Sequence, residues 1–219
     1  MKAALFDLDG TLTESAPGII ASVHFALRGL GHDPDPTVDL SWVVGPPLED
    51  VLARVLAPYG DDRVAEATAL YRQRYGSVGL FENALYAGIP EMLAAFTAAG
   101  LSLFVATSKR RAFAERILAH FGLDDQFTRI YGSEEGGLID HKPELIAHIL
   151  AREHLSPDGS VMIGDRSYDI AGAHANGLRA IGVAWGYGAP GELVQAGADA
   201  VVDHVTELLP TARRLLRFD

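Results

Sequence analysis

Short apolar runs alternate along this chain with segments whose apolar residues recur at helical spacing. The runs at 3–8, 101–107, 127–131, 160–163, 180–184 and 200–202 are continuous and brief, as strands buried on both faces should be. Between them, 112–121, 144–153, 167–176 and 193–196 carry the helical pattern. This alternation predicts an α/β fold, a doubly wound, mostly parallel (Rossmann-like) sheet with helices on both faces. Ligands of such sheets bind beyond the carboxyl ends of the strands. The pattern breaks between about Glu14 and Tyr86, where helices are expected at 17–28, 47–57 and 61–75, a weaker one at 37–43, and no strand. The expected organisation is an α/β core of residues 1–14 and 87–219, with a helical cap subdomain of residues 15–86 inserted after the first strand.

Composition narrows the function classes. The 219 residues contain no cysteine, which excludes disulfides, thiolate metal sites and cysteine nucleophiles. A net charge of −11 opposes a surface that tracks nucleic-acid phosphates. No apolar stretch approaches the ~20 residues of a membrane span, and Asp7 interrupts the first apolar run before it resembles a signal segment. The expectation is a cytoplasmic protein, a monomer or small homo-oligomer, with neither nucleic acid nor membrane as partner. Lysine is scarce, at positions 2, 109 and 142 alone.

Four short motifs fall at strand ends. Asp7-Leu8-Asp9-Gly10-Thr11-Leu12-Thr13 brings two carboxylates into one neighbourhood at the end of the first strand. Such a pair repels unless a cation neutralises it; the competing reading is an Asp turn that caps the next helix. Asp165 and Asp169 stand at the end of the strand 160–163 and one turn into the next helix, either facing that same edge or serving as an N-cap and a solvated helix residue. Acidic ends converging on one sheet edge favour a hard, oxygen-ligated ion, Mg²⁺ above all. Thr107-Ser108 precede a helix near Arg110, where hydroxyls and N–H groups can cradle phosphate or simply cap the helix; Lys109 beside them is expected to be solvated. Lys142-Pro143 opens another helix, where a cation opposes the helix dipole unless a carboxylate or phosphate offsets it.

In this order, DLDGTLTES, ATSK, HKP and GDRSYD resemble the haloacid dehalogenase superfamily, and the insert's position resembles that family's C1 cap. The stretch 177–188 looks most like the phosphoglycolate phosphatase-like branch, although Glu14 stands where that branch usually has Asp. The resemblance implies Mg²⁺-dependent hydrolysis of a small phosphorylated metabolite through an aspartyl-phosphate. It implies Asp7 as nucleophile, Asp9 as general acid and base, and Thr107, Ser108 and Lys142 on the phosphoryl oxygens. The metal would take Asp7, Asp165 and the Asp9 main-chain carbonyl, with Asp169 behind them. Dehalogenases of the superfamily lack the second Asp, and phosphonoacetaldehyde hydrolases need a cap lysine, which residues 14–86 do not contain. A 5′-nucleotidase, a sugar-phosphate phosphatase or mutase, and a catalytically silent or receiver-like regulatory protein stay open. Gly45-Pro46-Pro47 is the candidate substrate-specificity loop, or an ordinary helix connection. Gly186–Gly191 matches G-x-G-x-x-G, but so late in the chain it is expected to be a turn closing the site, not a dinucleotide fingerprint.

Overall fold

The structure, a computed structural model, describes residues 2–134 and 139–218. In chain order its elements are β1 (Lys2–Phe6), β2 (Thr13–Glu14), α1 (Ala16–Gly29), α2 (Leu48–Leu56), α3 (Val64–Ser77), β3 (Ala84–Leu85), α4 (Ile89–Ala98), β4 (Leu101–Arg110) and α5 (Arg111–His120). They continue with β5 (Arg129–Ser133), α6 (Lys142–Arg152), β6 (Ser160–Gly164), α7 (Ser167–Ala175), β7 (Arg179–Val183), α8 (Glu192–Gln195), β8 (Ala200–Val202) and α9 (Leu208–Leu216). Six strands form one parallel sheet in the order β5-β4-β1-β6-β7-β8.

The two-residue period of a strand divides the core into two layers. Ala4 and Phe6 of β1 join Val105, Ile163 and Ile181 beneath Phe96 of α4, Ile117 of α5 and Ala212 of α9. Ala3 and Leu5 point the other way, with Phe104, Met162 and Ala180, onto Ile146 of α6 and Ile170 of α7. The chain runs outward from β1 to β4 and β5, then crosses to β6 on the other side of β1. Strand order therefore reverses at β1, whose carboxyl end is the switch point where ligands of such sheets sit.

Between β2 and β3 lie α1, α2 and α3. Ile19, Val23 and Leu27 on α1, Val51 and Leu52 on α2, and Tyr71 and Tyr75 on α3 share one apolar cluster with the sheet's first layer. Three local expectations need correction. Residues 13–14 and 84–85 are a short antiparallel ribbon, Thr13 facing Leu85, so the helical region does have strands at its root. The weak helix at 37–43 is only a 3₁₀ turn, Ser41–Val43. The helix expected from residue 61 begins at Val64, because the Asp61 carboxylate accepts the Arg63 N–H at 2.9 Å and holds that segment as a turn. Among the described residues no helix is long and apolar enough to cross a membrane.

Candidate active site

Strand β1 delivers Asp7 to the switch point, and α6 delivers Lys142 to meet it. Lys142 is buried, and its Nζ donates to Asp7 Oδ1 at 2.7 Å and to the Ala106 carbonyl at 2.7 Å, and ion-pairs with Asp169 Oδ1 at 2.6 Å. An ammonium has three donors, and all three are directed at oxygens drawn from β1, β4 and α7. Burial pulls the Lys142 ammonium down, but Asp169 and Asp7 outweigh it and hold its pKa above the usual lysine value. The unfavourable cation at a helix start is thereby explained, since two carboxylates face it.

The acidic side is not balanced by this one lysine. Oxygens of Asp7, Asp165 and Asp169 lie within 4.8 Å of one another, all three residues buried. Burial, partly offset by Lys142, raises Asp7 to about 6. Asp165 is pushed well above the carboxylate range by burial first and then by Asp7 and Asp169. Asp165 receives the Tyr187 N–H on Oδ2 at 2.7 Å and the Thr11 hydroxyl on Oδ1 at 3.5 Å, and among the described residues no lysine or arginine forms an ion pair with it. Three buried carboxylates with one lysine among them, all hard oxygen donors, fit a divalent ion of the Mg²⁺ type. Asp169 is already engaged: besides Lys142, its Oδ2 accepts the Arg166 N–H at 3.1 Å at the start of α7.

The backbone makes this crowding possible. Gly10 adopts φ +82°, and a Cβ there would lie 2.2 Å from Asp165 Oδ2. A side chain on Gly164 would meet Asp169 Cγ at 2.2 Å. Only glycine lets both loops approach the carboxylates so closely.

Several alternative readings fall at this point. Neither Asp7 nor Asp9 caps α1, whose N-cap is Ser15. Asp165 does not cap α7, where Arg166 is the N-cap, and Asp169 is 1% exposed instead of solvated. Thr107 is buried, and its hydroxyl accepts the Lys109 N–H at 3.2 Å; the N-cap of α5 is Arg110. Lys109 is the clearest correction. Its side chain is 7% exposed and its Nζ lies 2.6 Å from Asp9 Oδ1, with a further hydrogen bond to the Tyr75 hydroxyl of α3. The expectation of a solvated lysine does not hold, and the scarcity of lysine in the chain is the sequence signal that marks it.

The Gly186–Gly191 turn packs against Asp165 and lines neither of the two spaces that open at the site. Besides Tyr187 on Asp165, the Trp185 indole donates to the Thr11 carbonyl at 3.2 Å, and the Ala16 N–H donates to the Tyr187 hydroxyl at 3.0 Å. The helix that follows, α8, has only four residues. Glu192 on it accepts N–H groups from Ser167 (2.7 Å) and Ala189 (2.9 Å) and pairs with Arg166 (3.1 Å). Arg166 in turn donates to the Val44 carbonyl at 2.5 Å, tying this turn to the helical region. These residues belong to the site's frame; Arg166 lies within GDRSYD with no role assigned to it there, and Glu192 lies in no motif.

Two connected spaces open here. A chamber of about 60 Å³ is lined by Asp7, Asp9, Thr107, Ser108 and Lys109 from the sheet side and roofed by Gly45, Pro46 and Leu48. Beyond it, about 530 Å³ lies among Pro47, Tyr71, Arg72, Tyr75, Phe113 and Asp140. Leu48, Tyr71, Ser108 and Lys109 border both. Gly45-Pro46-Pro47 is therefore the roof of the site, Gly45 and Pro46 over the small chamber and Pro47 over the large one.

Residues 4–183 match the model of the family described as haloacid dehalogenase-like hydrolase. A Pseudomonas aeruginosa protein named 5′-nucleotidase is 47% identical over 86% of this chain and 85% of its own. The Mycobacterium tuberculosis tyrosine-protein kinase PtkA is 40% identical over 94% of this chain and 70% of its own. A Cupriavidus necator phosphoglycolate phosphatase is 30% identical over 95% and 91%. Among solved structures, a predicted phosphatase from Clostridium acetobutylicum superposes with a TM-score of 0.89 at 37% identity, covering 99% of both chains.

Proposed function

The chain belongs to the haloacid dehalogenase-like hydrolase family and is a phosphoric monoester hydrolase, and from that premise we propose that it cleaves a small phosphate monoester through a phosphoryl group carried on Asp7. The observation that carries this reading is the buried Lys142–Asp7 contact of 2.7 Å at the sheet's switch point, with Thr107 and Ser108 lining the same chamber. Lys142 orients the Asp7 carboxylate and leaves its other oxygen to attack phosphorus. As the bond to the ester oxygen breaks, Asp9 gives that oxygen a proton. Asp9, now a carboxylate, takes a proton from the water that attacks the aspartyl-phosphate, and Asp7 is released with inorganic phosphate. Thr107 and Ser108 present donors to the phosphoryl oxygens through both steps, and Lys142 joins them by exchanging its bond to the Ala106 carbonyl for one to a phosphoryl oxygen. A divalent cation of the Mg²⁺ type, held by Asp7, Asp165 and the Asp9 main-chain carbonyl, would neutralise the repulsion between an anionic substrate and an anionic site. Asp169 holds Lys142 in place. On this reading residues 15–86 act as a cap over a core of residues 1–14 and 87–219.

For the leaving group, the branch resemblance points to a phosphoglycolate-like substrate. The space of about 530 Å³ beside the phosphoryl chamber favours a second reading, a nucleoside monophosphate, because glycolate would leave most of it unfilled. The 5′-nucleotidase relative supports that second reading. The mycobacterial kinase relative shares the phosphoryl-transfer framework but is named for a tyrosine acceptor, so water as acceptor is the point to test.

The test is phosphate release from p-nitrophenyl phosphate, phosphoglycolate, nucleoside monophosphates and sugar phosphates, after chelation and after restoring Mg²⁺ or Ca²⁺. Release that is lost in chelator and restored by Mg²⁺ supports the proposal; phosphoglycolate ranked first supports the first leaving-group reading, and nucleoside monophosphates ranked first the second. Ca²⁺ is expected to inhibit, since its looser coordination suits in-line transfer poorly. Undiminished release in chelator would overturn the metal's role.

A further inference from the structure

The mechanism above gives Asp9 two proton transfers, and something must hold its carboxyl where both can occur. Asp9 lies beyond the end of β1 in a turn that Gly10 bends sharply, so the sheet ladder does not fix its side chain. Among the described residues, one side-chain group hydrogen-bonds the Asp9 carboxylate, the Lys109 ammonium at 2.6 Å. Lys109 has a second partner outside the sheet, the hydroxyl of Tyr75 on α3, and its ammonium stands 4.9 Å from the centre of that ring. Tyr75 is itself immobilised, 1% exposed, stacked on Tyr71 at 5.2 Å and edge-on to Phe113 at 5.6 Å.

We propose that Lys109 is a positioning residue for Asp9, anchoring its carboxyl to Tyr75 so that Asp9 is aligned for proton transfer only while α3 is seated over the site. The inference rests on the reading of Asp9 as the acid and base of a phosphatase. Lys109 borders both the phosphoryl chamber and the larger cavity, so the Asp9–Lys109 pair stands where the bond between phosphorus and the leaving group must lie. Stability alone does not account for it. A buried ion pair is seldom more stabilising than an apolar pair of the same volume, and the surrounding Ile19, Val23, Val51 and Tyr71 would accept one. The ammonium contributes geometry: one charged donor on a carboxylate oxygen, its other end held against the α3 aromatics. No bond to Lys109 forms or breaks in the reaction. The protons that move pass between Asp9, the leaving oxygen and water.

A double-mutant cycle tests this, with p-nitrophenyl phosphate as the probe. Lys109→Met should lower kcat about 10- to 100-fold, as loss of an aligned general acid–base would, with KM within about threefold of wild type. Lys109→Arg should recover much of the loss by restoring a charged donor. Tyr75→Phe should lower kcat by less, in the same sense, with an unchanged melting temperature. In an Asp9→Asn background, Lys109→Met should cost nothing further, because a residue that acts through Asp9 has nothing left to position. An equal loss from Lys109→Met in the presence and absence of the Asp9 carboxylate would overturn the proposal. Wild-type kcat in a well-folded Tyr75→Phe enzyme would overturn its dependence on α3, even if Lys109→Met did not fold. Wild-type turnover in Asp9→Asn alone would instead sink the reading of Asp9, and so separates failure of the premise from failure of the inference.

Discussion

Asp7, Lys142 and Asp169 form a chain of contacts at 2.6–2.7 Å, supplied by a strand end and two helices. The wall that faces them, from Gly45 to Leu48 with Tyr71 behind, presents chiefly apolar and aromatic surface to the small chamber and is tied back by side-chain bonds such as Arg166 to the Val44 carbonyl and Lys109 to the Tyr75 hydroxyl. The sheet side is preorganised: its charged groups are already aimed, so little reorganisation is needed as charge shifts at phosphorus. The helical side contributes aromatic rings to the larger cavity, Tyr71 and Tyr75, together with Glu49, Asp50 and Arg72, of which Arg72 pairs with Glu49 at 2.8 Å. On the proposed function, chemistry common to all phosphate esters is built on the sheet, while discrimination among leaving groups falls to the helical wall.

The largest expected effect lies on the sheet side. On the proposed mechanism Asp7→Asn removes the attacking oxygen, and turnover should fall by at least about 10⁴-fold in line with loss of a covalent nucleophile; a stopped phosphate-release assay on the purified variant checks it. Next, Lys142→Met leaves Asp7 and Asp169 buried without their cation. Breaking a buried pair from one side costs roughly 3–5 kcal/mol, so thermal or urea unfolding should report a loss of that order along with the activity. A smaller and different effect is expected on the helical side. Pro46→Ala with Pro47→Ala should reorder kcat/KM among natural phosphates by about tenfold while leaving p-nitrophenyl phosphate turnover nearly intact. An equal loss on every substrate would break the comparison, since the roof would then serve chemistry as well as selection.

The smallest effect sharpens the joint between the two walls. Burial pushes the Glu192 carboxyl up, but the Ser167 and Ala189 N–H groups and Arg166 outweigh it and hold the pKa at about 2 against an ordinary 4.5. A depressed acid stabilises the fold above its unfolded pKa and loses that contribution as pH falls through the folded one. Glu192 is partly open to solvent, so screening reduces the effect to about 1 kcal/mol. Glu192→Gln should therefore melt slightly lower than wild type from neutral pH down to 4.5, and the difference should shrink between pH 4.5 and 2.

Most strands of the sheet were legible because parallel strands buried on both faces read as continuous apolar runs. The ribbon Thr13–Glu14 with Ala84–Leu85 was not, since two-residue strands joined across some 70 positions leave no periodic trace. Asp7, Asp9, Asp165 and Lys142 were legible as motifs at strand ends and helix starts, and the fold brings them to one edge. The placement of Lys109 was not legible, because its partner Tyr75 approaches from α3, more than thirty residues away along the chain.

What the sequence determined by itself was local chemistry and periodicity: which segments extend as strands, where glycine permits a sharp turn, and which carboxylates and hydroxyls terminate strands. Strand order, and with it the reversal at β1, came from the packing of whole layers. The tertiary structure alone decided which of three lysines would be buried beside which carboxylate. Desolvation and ion pairing depend on every group within a few ångströms, and those groups come from β1, β4, α3, α6 and α7, far apart along the chain. The height of the roof over the chamber is a tertiary fact for the same reason: it is set by α1, α2 and α3 packing against one another and against the sheet.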